Sequence, residues 1–233
     1  MENIFFDDKV VGRVQIRRSK KAYRISLSLR EGNVILVVPD RLTVKEGISF
    51  LQSKYDWVLA HLKKNEVTVF DENTDFRTTT FRVEIKRHSL HSFQFRLSAG
   101  VLAISCPQDK DIHAEESQTI IRQGIERALK MEAKKILPRL VEFLAKEHRF
   151  TFSNVSIRSS KSRWGSCSRQ GNICLSYFLL ILPDELLNYV LLHELCHTRE
   201  MNHGPQFWKL MDAVTNNNAK KLRLRLKDYK TTI

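Results

Sequence analysis

Apolar and polar positions alternate with a period of two through the first hundred residues and with a helical period beyond them. Between residues 21 and 39, Ile25, Leu27 and Leu29 share one face before a turn at Glu31, Gly32 and Asn33. Val34, Leu36 and Val38 take up the alternation again, which predicts a β-hairpin. Thr43 and Glu46 then have the spacing of a capping box. Ile48, Leu51, Tyr55, Val58, Leu59 and Leu62 follow at helical spacing and predict an amphipathic helix over 44–64. The runs FRVEIKRH, FQFRLSA and VLAISCP predict three further strands separated by polar turns.

The rhythm changes near Pro107. Ile121, Ile125, Leu129, Ile136, Leu140 and Phe143 predict a helix from Ile112 to about His148, and Pro138 should kink or break it. A strand around NVSIRSS, a polar loop KSRWGSCSRQGN and an apolar stretch ICLSYFLLIL come next. A helix is expected from Pro183 through Thr198, and another from Gly204-Pro205, where proline suits the first turn. The chain reads as α+β, a β-rich N-terminal domain over 1–108 with one helix and a second, helical domain over 109–233. No internal repeat is expected from the sequence.

Composition narrows the class of protein. Apolar residues make up 42% of the chain, an ordinary globular balance rather than that of a disordered chain. Lys and Arg outnumber Asp and Glu by 39 to 26, a net charge of +13, which favours contact with phosphate, nucleic acid or acidic surfaces. The first residues carry acids where a signal peptide needs bases, and no run of 18 apolar residues occurs, so neither export nor a membrane span is expected. The four cysteines, Cys106, Cys167, Cys174 and Cys196, form no CxxC pair and suit a reducing cytoplasm.

The chemistry is concentrated in HELCHTREMNH, residues 193 to 203. On a helix His193 and His197 stand one turn apart, with Cβ atoms about 5–6 Å from each other. Two imidazoles so placed can share one zinc ion at about 2.0–2.1 Å. A catalytic zinc takes three protein ligands and leaves one position for water, and His203 becomes the third if the chain turns back after Glu200. Glu194, on the rim of the same face, is the candidate general base for a zinc-bound water. The expected cofactor is one Zn²⁺ per chain, with manganese, cobalt and nickel also compatible with this donor set.

RWGSCS at 163–168, HELCH at 193–197 and HGPQFW at 203–208 together resemble the YgjP-like family of predicted metal-dependent hydrolases, and the similarity runs over nearly the whole chain. HGPQFW also resembles the third-ligand region of SprT-like metalloproteases. The resemblance implies zinc at His193, His197 and His203, catalysis by Glu194, and a zincin-like α+β fold in which the HExxH helix carries the active site. Metzincins share this histidine spacing but place glycine three residues after the second histidine, where Glu200 stands here.

Several residues have a plainer reading beside the functional one. Arg163 and Ser166, in the polar loop, are candidate substrate-binding residues, since a guanidinium suits planar anionic groups. Trp164 reads as a core plug and Gly165 as a turn residue. Cys167 has no call for nucleophilic work beside a zinc pair, and Cys196 reads as packing. The stretch from Ile173 to Phe178 fits either an exposed edge strand that pairs with an extended peptide or a buried central strand. Lys220, Lys221, Arg223, Arg225 and Lys227, with Arg17, Arg18, Lys20, Lys21 and Arg24, form basic runs that read first as solvated surface.

The functional expectation is a zinc metallopeptidase acting on peptides. Two alternatives use the same site: hydrolysis of a small anionic substrate such as a nucleotide phosphoanhydride, and proteolysis on nucleic acid held by the basic surface.

Overall fold

The computed structural model describes residues 3–30, 33–63 and 68–233. By internal contacts the chain divides into Met1–Thr68 and Val69–Ile233. The change of composition near residue 108 lies within the second unit, where strands and helices share one core.

In the first unit, β1 (Asn3–Asp8), β2 (Gly12–Ser19), β3 (Ser26–Arg30) and β4 (Asn33–Pro39) form one sheet in the order β1-β2-β4-β3. The predicted hairpin is β3 and β4, antiparallel with Leu29 opposite Val34 and Leu27 opposite Leu36. Glu31 and Gly32 of its turn, and Lys64 at the end of the expected helix, lie outside the described residues. The helix predicted over 44–64 is two helices, α1 (Val44–Gln52) and α2 (Tyr55–Lys63). Ser53 separates them: its hydroxyl donates to the Phe50 carbonyl at 2.8 Å, a local bond that competes with the helical ladder. The capping box is present, with Glu46 N donating to Thr43 Oγ1 and Thr43 N donating to Glu46 Oε2. A Cβ on Gly47 would lie 2.6 Å from Val38 Cγ2, so α1 rests on β4 with no room for a side chain. Val14, Ile16, Val34, Leu36, Val38, Leu51 and Val58 fill the core between them.

The second unit starts with a three-stranded sheet, β5 (Arg82–His88), β6 (Gln94–Ser98) and β7 (Val101–Pro107), in the order β5-β7-β6. Helix α3 (Glu115–Glu147) follows and packs against β7, α4 and the third sheet. Pro138 does not break it. The proline removes one backbone donor, but Leu137 and Val141 beside it are fully buried and hold both halves on the core. The buried stripe runs Ile121, Ile125, Leu129, Ala133, Leu137, Val141 and Leu144, so Ile136, Leu140 and Phe143 fall one position off it, and Phe143 is exposed. The third sheet is β8 (Asn154–Arg158), β9 (Gly165–Cys167) and β10 (Asn172–Ser176), ordered β8-β10-β9. The segment expected as a loop therefore contains an edge strand, and the apolar β10 is central in its sheet. A 3-10 turn (Tyr177–Ile181) leads to α4 (Asp184–Cys196), then α5 (Pro205–Val214) and α6 (Ala219–Leu226). No helix among the described residues is long and apolar enough to cross a membrane.

These sheets correct the expectation of no internal repeat. Three times the chain makes a strand, then a hairpin whose last strand returns parallel to the first: β2-β3-β4, β5-β6-β7 and β8-β9-β10. Each first strand carries Val-x-Ile followed by a base, at Val14–Arg17, Val83–Lys86 and Val155–Arg158. Each sequence then continues into a helix. By register Val34, Leu102 and Ile173 are equivalent, as are Leu27, Phe95 and Gly165. The repeat hides in the sequence because only the inward positions of the strands are constrained, and those only to be apolar.

Candidate metal centre

Helix α4 is apolar almost all round, with Leu186, Leu187, Val190, Leu191, Leu192 and Leu195 buried, so it runs through the core rather than over it. It carries His193 in its last turn and ends on His197, whose backbone N–H donates to the His193 carbonyl. Beyond it the chain turns back through Thr198 and Arg199, with Glu200 N donating to the Cys196 carbonyl at 2.9 Å. Glu200 makes this turn without a positive φ, so the glycine of the metzincin pattern is not required. Gly204 then caps α5 with Pro205 in its first turn, which brings His203 back beside the helix.

Three imidazoles meet there. His193 Nε2 lies 3.2 Å from His197 Nε2 and 3.1 Å from His203 Nε2. One ligand atom from each falls within 4.8 Å of the others. His197 Nδ1 is 3.0 Å from the Glu200 carbonyl, which can only accept, so the hydrogen sits on Nδ1 and Nε2 keeps its lone pair. A ring nitrogen holds one hydrogen at most, so His193 Nε2 cannot satisfy both neighbours. A cation among the three nitrogens can. Bonds of about 2.05 Å at tetrahedral angles put ligand nitrogens roughly 3.3 Å apart, close to the two spacings from His193. Burial, the two neighbouring imidazoles and Arg223 hold His193 down to about 3, so it is neutral and free to bind a metal.

Phe207 is the floor of this group. Its fully buried ring lies 4.9 Å from the His193 ring, 4.6 Å from His197 and 4.7 Å from His203. Trp208 Nε1 donates to the His203 carbonyl at 3.1 Å. Sequence reasoning quoted HGPQFW but assigned no role to its aromatics; their offsets of four and five from His203, at the start of a helix, were the available signal.

Glu194 is 5% exposed, and among the described residues its Oε2 has no hydrogen-bond partner. Burial pushes its carboxyl up to about 8, against the pull of the Arg163 charge. It lies against β9. A Cβ on Gly165 would be 2.7 Å from Glu194 Oε1 and 2.8 Å from its Cγ. Gly165 is thus a strand residue that gives the carboxylate room, not a turn residue. The equivalent position in the second sheet shows the reverse arrangement. There Phe95 occupies the strand, and a Cβ on Gly124 of α3 would lie 2.0 Å from its ring.

The other candidates divide. Arg163 is exposed and near enough to Glu194 to act on its charge. Ser166 sits between Gly165 and Cys167, and strand alternation turns it to the sheet face away from Glu194. Trp164 is half-buried against the core, as a plug would be. Burial and the Glu194 charge push the Cys167 thiol up to about 11, and burial pushes Cys196 up to about 12 against the pull of Arg199, so neither is an activated nucleophile. The sheet edge beside α4 is β9, not the stretch after Ile173.

Among solved structures the chain is similar to the zymogen of abylysin, a metallopeptidase of Pyrococcus abyssi. Identity is 27% over 39% of this chain and 91% of that one, with a TM-score of 0.36. It is also similar to the zymogen of jannalysin, a metallopeptidase of Methanocaldococcus jannaschii, at 24% identity over 39% of this chain and 92% of that one, with a TM-score of 0.35. No curated protein sequence matches it significantly. The model of the YgjP-like metallopeptidase domain matches residues 23–229, which takes in the first hairpin as well as all three histidines. The chain belongs to the YgjP-like family of metallopeptidases.

Proposed function

We propose that this metallopeptidase is a zinc enzyme that cleaves peptide bonds, with His193, His197 and His203 as ligands and Glu194 as general base. The observation that carries this is the meeting of three imidazole nitrogens that no hydrogen-bond pattern satisfies, next in sequence to a buried carboxyl with an unpartnered oxygen. A divalent cation held there would supply Lewis acidity, making water acidic near neutrality and polarising the scissile carbonyl. The residues do the rest. Glu194 takes the proton of the attacking water and hands it to the leaving amine, a task suited to a carboxyl whose burial raises its proton affinity. Glu200, through its carbonyl, fixes the His197 tautomer, and Phe207 fixes the angle between the rings. Arg163 at the rim suits the substrate carbonyl. The four thiols, all free, support a cytoplasmic location.

Elemental analysis of wild type and His197→Ala, purified without a histidine tag, tests the site. About one zinc per wild-type chain and little in the variant is expected; equal metal in both refutes the ligand set. Turnover of a casein-derived peptide, abolished in Glu194→Gln, tests the chemistry. If the same variant instead loses phosphate release from nucleotides, the anionic-substrate reading replaces the peptidase one.

A further inference from the structure

Helix α6 carries a cation that this reading does not use. The helix is basic, and Ala219 and Leu222 pin it to the core. Arg225 is neutralised by an ion pair with Glu185 of α4. Arg223 differs. Its guanidinium carbon lies 4.9 Å from the centre of the Trp208 ring, over its face. Trp208 in turn holds the His203 carbonyl, and its ring centre is 6.0 Å from that of the imidazole. Arg223 therefore sits over the ring of the residue that supports His203, in a cation–π contact, and no carboxylate among the described residues pairs with it. One ring, that of Trp208, thus lies between the Arg223 guanidinium and the His203 imidazole. The Arg223 charge also pulls on the buried Tyr189 hydroxyl, against the larger effect of burial.

A cation–π contact holds the guanidinium on one side and leaves N–H groups on the side away from the ring free. A fork so held has lost much of its rotamer freedom before any ligand arrives, so pairing costs less. Its complement is a planar anion with two acceptor oxygens, a carboxylate, taken in bidentate fashion. A cation with no carboxylate partner among the described residues, one ring away from His203, selects for such a group on the substrate.

We infer that Arg223 is a specificity-determining residue that receives a substrate carboxylate close to the scissile bond, either an Asp or Glu side chain or the C-terminal carboxylate of the peptide. The inference rests on the peptidase reading for its substrate class. Hydrogen bonds to a charged partner of this kind set a preference of roughly ten- to a hundredfold over the neutral analogue.

Two peptide series test it, built on one cleaved sequence: free acid against C-terminal amide, and Glu against Gln beside the scissile bond. The zinc-loaded enzyme should prefer the carboxylate member of one series by at least about tenfold in kcat/KM, carried mainly by KM. The series that shows it identifies the source of the carboxylate. Arg223→Met keeps the aliphatic stem on Trp208 and removes the charge, and should bring that ratio close to one. Arg223→Lys keeps the charge without the fork and should retain part of it. A ratio near one in wild type, or the same ratio in wild type and Arg223→Met, overturns the assignment. Calorimetric titration of the same peptides into zinc-loaded Glu194→Gln, with and without Arg223→Met, reads binding apart from cleavage. Tighter binding of the carboxylate peptide that is lost with Arg223→Met sustains the inference even if wild type cleaves none of them, in which case the peptidase reading fails alone. Cleavage without any preference dependent on Arg223 sinks the inference and leaves the peptidase reading standing.

Discussion

Replacing Gly165 with alanine places one methyl group where Glu194 now packs. The added Cβ would stand 2.7 Å from Oε1, 2.8 Å from Cγ and 2.9 Å from Cδ, whereas ordinary contact starts at 3.4 Å. Either the carboxyl or the strand must yield by about 0.7 Å, the difference between 3.4 and 2.7. The strand is tied to β10 through Gly165 opposite Leu175 and Cys167 opposite Ile173, both partners fully buried, so the side chain is the part that moves. It is not a free end: Glu194 is 5% exposed and leaves a buried helix, so its rotation disturbs packing at a cost of about 1–3 kcal/mol. A shift of that size in a general base lowers kcat by about 10²-fold. The atoms nearest the added Cβ all belong to Glu194, so metal binding by the three histidines should be retained. The expected outcome for Gly165→Ala is thus a zinc content equal to wild type, a Tm lower by several degrees and kcat for peptide cleavage down by about two orders of magnitude. Zinc content, a thermal melt and steady-state kinetics on one preparation give all three numbers. Wild-type kcat together with wild-type Tm would refute the account of Gly165 as the residue that makes room for the base.

Phe207→Ala removes the ring that touches all three imidazoles; a loss of about 3–5 kcal/mol in denaturant unfolding is expected, together with weaker zinc retention against a chelator, and an unchanged chelator half-life would remove Phe207 from the centre. Cys167 is held near 11, so iodoacetamide at pH 8 should alkylate it about a thousandfold more slowly than its thiolate reacts, with the rate rising tenfold per pH unit up to about pH 11; a plateau near pH 8, followed by mass spectrometry, contradicts the placement against Glu194. Thr43→Ala in the first unit deletes the Glu46 N to Thr43 Oγ1 bond of the capping box and should lower stability by about 0.5–2 kcal/mol while leaving zinc content and kcat at wild-type values, and a change in zinc content would contradict a purely local role.

The meeting of the three histidines was legible in the sequence because a helix converts a spacing of four into one face, and because Gly204-Pro205 announces a helix start that forces the intervening chain to return. The strands were legible for a similar reason: alternation has one structural meaning where one face is buried. Helix breaks were not. Ser53 ends α1 through a hydroxyl bond to Phe50, and nothing in the apolar pattern marks that residue against Ser49 four positions earlier. Pro138 misled in the opposite direction, since burial on both sides outweighs one lost backbone bond. The groups around the histidines were harder still. Arg223 and His203 are brought together by the packing of α6 against α4 and α5, a property of tertiary structure that no local pattern encodes.

The threefold strand arrangement explains how a fold of this kind makes room for a buried acid. Each sheet has an edge strand with one residue at the same register position, Leu27, Phe95 or Gly165, and in the second and third sheets that residue meets a helix that follows. Where the helix carries glycine, at Gly124, the strand fills the space with Phe95, and the contact is apolar packing. Where the strand carries glycine, at Gly165, the helix fills the same space with Glu194. Between the two contacts bulk has passed from strand to helix, and with it the choice of chemistry. A carboxyl projecting from this helix stands next to the histidines of that helix, whereas one projecting from the strand would need a separate device to aim it. A buried carboxyl with an unpartnered oxygen is costly for stability, and the fold bears that cost at the contact between Glu194 and Gly165. RWGSC and HELCH are therefore one feature read from two sides: the glycine of the first exists because of the glutamate of the second.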